Sequence, residues 1–150
     1  MIVDLAAVVA QVESGGDLHA IRFEPAVYQR TSHGPLATLI NIKTMNRCSD
    51  GTAAMIYSTS WGRFQVMGFN LYGPLGLMRG VVDYLNDADL QAQSFQRFCE
   101  FNRCQLAPAD LDNVGRLSAF AALYNGPGNV ADYVSRLIAA RDRLRAGAPA

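Results

Sequence analysis

Apolar residues recur at helical spacing along much of this chain, and each recurrence stops at a glycine, asparagine or proline. A stripe of that period buries one face of a helix and cannot bury one face of a strand, so the pattern restricts the fold to a helical domain. Ile2, Leu5, Val8, Val9 and Val12 form the first stripe. Ser14-Gly15-Gly16 ends it, since glycine takes the left-handed conformation at a helix C-terminus at little cost. Met78, Val81, Val82 and Leu85 form a second stripe, and a helix opening near Asn86-Asp87 runs through Leu90, Phe95, Phe98 and Cys99 to about Asn102. Another spans roughly Asp112 to Tyr124, with Leu117, Phe120, Ala121 and Tyr124 on one face, and Asn125-Gly126-Pro127-Gly128 breaks it. Asn129 is placed to cap a last helix that carries Val130, Val134, Leu137, Ile138 and Leu144.

Elsewhere the helical period is lost. From Ile21 to Ser60 the pattern predicts loops, with at most one short helix or a small hairpin. Trp61 to Gly68 reads as a short buried segment, followed by a loop from Asn70 through Pro74. The tail Ala146 to Ala150 is expected to fray. The expectation is a mainly α, single helical domain over residues 1–150 with an irregular loop or small hairpin region.

Composition excludes several function classes. Half of the 150 residues are hydrophobic and 17% are charged, which is a folded chain with a core. Thirteen Lys and Arg balance thirteen Asp and Glu, so the chain lacks the positive excess of a polybasic nucleic-acid binder, and no nucleic-acid partner is expected. The apolar start has no basic region before it and contains Asp4, so it reads as a first helix and not as a signal peptide. No apolar run approaches the roughly 20 residues of a membrane span, so stable membrane insertion is not expected. Cys48, Cys99 and Cys104 are odd in number and form no CxxC pair. Buried free thiols are expected, one disulfide remaining open for a chain that works outside the cytoplasm. His19 and His33 have no ligand spacing and are expected at the exposed surface, so neither a metal nor an organic cofactor is expected.

Three segments carry candidate chemistry. In Val12-Glu13-Ser14-Gly15-Gly16, a carboxyl ends an apolar helix. Partial burial and the negative end of the helix dipole both raise its pKa, as a general acid working near neutrality requires. A solvated Glu beside a glycine cap has the same sequence. Ser60-Trp61-Gly62-Arg63-Phe64-Gln65-Val66-Met67-Gly68-Phe69-Asn70 suits either a core segment or a groove wall with amides for a sugar. Tyr124-Asn125-Gly126-Pro127-Gly128 is a helix end and turn, and its last helical side chains face whatever cleft the break opens.

In this order the segments resemble the signature of the lysozyme-like superfamily that cleaves peptidoglycan. VESGG is similar to the Glu-Ser motif of soluble lytic transglycosylases and goose-type lysozymes, GRFQVMG to their Gly-Leu-Met-Gln-Ile-Met-type segment, and ALYNGPGNV to their Ala-Tyr-Asn-Ala-Gly-Pro-Gly-Asn-Val-type segment. The resemblance is closer still to the phage N-acetylmuramidase endolysin family and spans roughly Val8 to Leu144. Two stretches depart from that family. Phe23-Glu24-Pro25-Ala26 lacks the Arg and His that follow the family's Glu, and Thr31 to Thr59 matches nothing recognisable.

The resemblance implies a lysozyme-like fold and cleavage of the bond between N-acetylmuramic acid and N-acetylglucosamine, with Glu13 as the general acid and Tyr124 beside it as its orienting group. It implies a substrate set of Ser60, Gln65, Met67, Phe69 and Asn125, Ser60 being also within reach of the Glu13 loop. Only three glutamates exist, and Glu100 reads as surface. A second carboxylate is open among Glu24, Asp17 and Asp50, Glu24 being the family position. Hydrolysis by a muramidase is the preferred ending. The alternatives are a lytic transglycosylase giving the 1,6-anhydro product, and an inactive wall-binding or virion module. The implied partner is the peptidoglycan glycan strand, met by a monomer. The implied setting is a phage-encoded protein made in the host cytoplasm, reaching the wall through a permeabilised membrane or from the virion.

Overall fold

The computed structural model describes residues 3–31 and 34–147. Ile2, His33 and the end of the tail, residues 148–150, lie outside them, and so do the expectations made for them. The domain is mainly helical with a small three-stranded antiparallel sheet.

Helix α1 (Leu5–Ser14) starts at Asp4, whose carboxylate accepts from the Ala7 N–H at 2.8 Å. It stops at Gly15, where φ is 67°. Helix α7 (Ala88–Phe101), capped by the Asp87 carboxylate, and helix α8 (Val114–Tyr124), capped by the Asn113 side chain, follow the expected stripes closely. The last helix, α9 (Val130–Arg145), also stands where the pattern put it, but Asn129 makes no side-chain cap. α1 and α8 both pack on α9. Val8, Val9, Leu117, Phe120, Ala121, Tyr133, Leu137 and Ala140 form the interior among them.

Between Ile21 and Ser60 the structure corrects the sequence expectation. Strand β1 (Ile21–Phe23) leads into a short helix α2 (Pro25–Tyr28), and then come two full helices, α3 (Leu36–Asn46) and α4 (Asp50–Tyr57). α3 escapes a periodicity argument because its apolar residues do not share a face. Thr38 and Ile42 are buried, while Leu36 and Ile40 are exposed. α4 has a start signal in Ser49, whose hydroxyl accepts from the Thr52 N–H.

The expected buried segment is a hairpin, β2 (Thr59–Trp61) and β3 (Val66–Met67), with sheet order β1-β2-β3. Trp61 fills the core, and its indole N–H donates to the Ile56 carbonyl at 3.1 Å. The expected loop at Asn70–Tyr72 is helical instead, in α5 (Gly68–Tyr72), because Leu71 and Tyr72 are fully buried and the turn begins only at Gly73. The stripe from Met78 shrinks to α6 (Val81–Leu85), where Val81 and Tyr84 are buried and Met78 and Val82 face solvent. All three cysteines are free thiols, Cys99 and Cys104 buried and Cys48 half-buried.

Candidate active site

Glu13 sits on the last turn of α1, and neighbouring residues fix that end in place. Ser14 Oγ donates to the Arg63 carbonyl at 2.9 Å, tying the helix end to the β2–β3 turn. Gly62 opens that turn at φ 71°, and a β-carbon there would stand 2.4 Å from Gln91 Oε1. A side chain there would be strained at that φ and would displace the Gln91 amide. Gln91 is fully buried on α7. It accepts from the Arg63 N–H at 2.9 Å and donates to the carbonyls of Leu18 at 3.0 Å and Tyr84 at 3.1 Å. One buried amide thus joins α7, the turn and the segment after α1.

Tyr133, on the second turn of α9, donates its hydroxyl to Glu13 Oε1 at 2.5 Å. The Arg136 guanidinium lies 5.8 Å from the Tyr133 ring centre and donates to the Val12 carbonyl at 2.7 Å. Burial raises the Glu13 pKa above the ordinary carboxylate value, although the Tyr133 hydrogen bond and the charges of Arg22 and Arg136 pull the other way. Glu13 is thereby a carboxyl that keeps its proton to higher pH than a solvated one. Burial and the nearby Glu13 push the Tyr133 phenol strongly upward, so it remains a neutral donor.

Tyr124 is in the same ring stack, 6.3 Å from Tyr133, with Phe95, Phe98 and Phe120 around it. Its hydroxyl donates to the Phe64 carbonyl at 2.5 Å. The hydrogen bond to the Glu13 carboxyl therefore comes from Tyr133, and Tyr124 holds the hairpin turn.

Gln65, at φ 49°, donates its amide to the carbonyls of Gly62 at 2.9 Å and Ala20 at 3.2 Å, leaving the amide oxygen for other partners. Ser60 is buried and its hydroxyl donates to Met67 Sδ at 3.0 Å. Phe69 packs against Tyr57 with ring centres 5.4 Å apart, lining a cavity of about 280 Å³ with Val27, Arg30 and Pro35. Asn125 is exposed at the C-terminal cap of α8.

Glu24 precedes α2, its carboxylate 2.6 Å from Arg22 Nε. The other carboxyl groups weighed from the sequence are engaged elsewhere. Asp17 accepts from the His19 N–H, Asp50 pairs with Lys43, and exposed Glu100 accepts from Gln96. His19 is exposed, with Nε2 3.3 Å from Asn86 Oδ1. Among the described residues, no group of three or more His, Cys, Asp or Glu converges as a metal site would require. A cavity of about 490 Å³ lies at the far end of α1 beside Asp4 and Leu5, against Phe95 and Cys99 of α7. No residue that touches Glu13 lines it.

Sequence reasoning missed Tyr133, Arg136, Gln91 and Arg22. Tyr133 carried a signal, since it falls on the stripe of Val130 and Leu137 at spacings of three and four. Gln91 carried none, because a lone amide in an amphipathic helix looks like any solvated one.

A helical domain that holds a carboxyl of raised pKa at a helix end, with a hairpin and a tyrosine braced against it, has the parts of an acid-using glycosidase. Residues 41–145 match the family model described as "Muramidase: N-acetylmuramidase". The chain is also 40% identical over 133 residues to the "Endolysin" of Enterobacteria phage PRD1, covering 85% of this chain and 89% of that protein. No solved structure matches significantly. The chain belongs to the N-acetylmuramidase family and is a peptidoglycan glycosidase. The matched family segment starts after Glu13 and Glu24, so the case for these two rests on geometry and on the motifs around them.

Proposed function

We propose that the chain cleaves glycan strands between N-acetylmuramic acid and N-acetylglucosamine by hydrolysis, with Glu13 as the general acid. The observation that carries this reading is the burial of the Glu13 carboxyl against the Tyr133 hydroxyl at 2.5 Å. A carboxyl that retains its proton can deliver it to the glycosidic oxygen as the C1–O bond breaks. Glu24 is the second carboxylate, taking a proton from the water that attacks C1. Its supporting feature is the 2.6 Å ion pair with Arg22, which orients the carboxylate.

In this reading Gln65 offers its free amide oxygen to the acetamido N–H, and Asn125 a second amide. Met67 lines the groove with Ser60 behind it, and Phe69 extends the wall towards α4. The chain acts as a monomeric endolysin of a phage, made in the host cytoplasm and reaching the wall once the membrane is permeabilised. The family membership and the phage relative support that setting. Among the described residues no helix is long and apolar enough to cross a membrane.

Mass spectrometry of digested cell walls tests the reaction. Wild type should release reducing N-acetylmuramic acid ends and Glu13→Gln none. A 1,6-anhydro product, lighter by one water, would replace hydrolysis with transglycosylation. Retained cleavage by Glu13→Gln would remove the acid assignment.

A further inference from the structure

The guanidinium of Arg22 is so far only the ion-pair partner of Glu24. β1 pairs with β2 so that Arg22 faces Ser60, and β2 pairs with β3 so that Ser60 faces Met67. Cross-strand neighbours share a face of a pleated sheet, so Arg22 extends the row that already holds two groove residues. Glu24 follows two positions on from Arg22, at the end of the same edge strand. This edge is fastened to the end of α1: Gly62 N–H and Gln65 Nε2 both reach the Ala20 carbonyl, and Ser14 reaches the Arg63 carbonyl.

Arg22 Nε donates to Glu24 Oε1 at 2.6 Å, and its two terminal amino groups have no hydrogen-bond partner among the described residues. The side chain is 63% exposed, and an exposed pair of this kind adds little to stability. Its charge also reaches Glu13. The same guanidinium therefore pairs with one carboxyl group and acts through its charge on the other.

We propose that Arg22 is a positioning residue shared by Glu13 and Glu24, aiming Glu24 at the groove before the reaction and balancing Glu13 after it. The proposal rests on the acid and base roles given above. During hydrolysis the Glu13 proton passes to the leaving oxygen as the C1–O bond breaks. The water oxygen bonds to C1, and the water proton goes to Glu24. One negative charge has then moved from Glu24 to Glu13, and the one cation that acts on both stabilises it at either end. The lone Glu-Arg-His run of the resembling family is absent here, and Arg22 supplies a guanidinium from the other side of Glu24.

The groups facing Glu13 are Tyr133 and Arg136 from α9, Tyr124 from α8 and Arg22 from β1, while Glu24 faces Arg22. Removing the Arg22 charge takes away one of the attractions that lower the Glu13 pKa, so the limb of the pH–rate profile set by Glu13 should move to higher pH. The test is kcat, KM and the pH profile of Arg22→Gln and Arg22→Lys on purified walls, alongside Glu13→Gln and Glu24→Gln. Arg22→Gln should lose kcat on the order of tenfold with KM nearly unchanged, and Arg22→Lys should recover most of the rate and the profile. In a Glu24→Gln background, Arg22→Gln should cost far less. A wild-type kcat and profile in Arg22→Gln, or a loss confined to KM, overturns the proposal. If Glu13→Gln is dead while Arg22→Gln behaves as wild type, only Arg22 falls. If Glu13→Gln cleaves, the underlying reading falls.

Discussion

At Glu13 three attractions compete with one penalty, and the penalty wins. The Tyr133 hydrogen bond and the charges of Arg22 and Arg136 favour the carboxylate, and burial disfavours it by more. A carboxyl whose folded pKa lies above its unfolded value contributes stability that is complete below the unfolded value of 4.5 and lost as pH rises through the folded one. Glu13→Gln keeps an oxygen for the Tyr133 hydroxyl and removes the buried charge. It should be at least as stable as wild type at pH 7, with the advantage shrinking towards pH 4. Thermal melts of both proteins across that range check it, and a wild type that is the more stable at pH 7 contradicts it. Tyr133→Phe removes a bond that favours the ionised acid, so Glu13 should hold its proton to still higher pH. The alkaline limb of the rate profile should move up while the rate falls, on the order of tenfold, from lost orientation. The candidate acid was legible in the sequence because glutamate is scarce and Glu13 sits in a motif. Tyr133 was not, since the motif tyrosine nearby, Tyr124, drew the orienting role by resemblance.

Among the elements, the hairpin turn depends most on one buried side chain. Gln91 satisfies the Arg63 N–H and two carbonyls from separate segments. Gln91→Leu matches the volume and strands those groups, at a cost of about 2–3 kcal/mol. Chemical denaturation measures it, and a loss within a few tenths of a kcal/mol would show that water replaces the amide. The helices α7, α8 and α9 were legible because each presents an apolar face and a recognisable start or stop. α3 was hidden for the opposite reason. It buries Thr38 and Ile42 and exposes Leu36 and Ile40, so its contacts with α4 and α5 decide its helicity. β1 was equally silent, being three residues long and exposed throughout.

For the whole molecule, the zero net charge predicts how a wall is recognised. Without a net field to attract an anionic envelope, binding should run through short-range hydrogen bonds and stacking and change little between low and moderate salt. Sedimentation of the Glu13→Gln variant with purified walls at several salt concentrations measures this. A steep loss with salt would reveal an anionic contact, with Arg22 the first cation to examine. The packing of α1 and α8 on α9 brings Glu13 within hydrogen-bond reach of Tyr133, 120 positions away along the chain.

By itself the sequence determined the helical class, most of the C-terminal helices and the carboxyl with the strongest claim to be the acid, because period, caps and motifs are local properties. Only the tertiary structure decided which tyrosine holds that carboxyl, which amide pins the turn and which cation pairs with Glu24. Those choices depend on hydrogen bonds and fields between distant segments, and no local pattern encodes them.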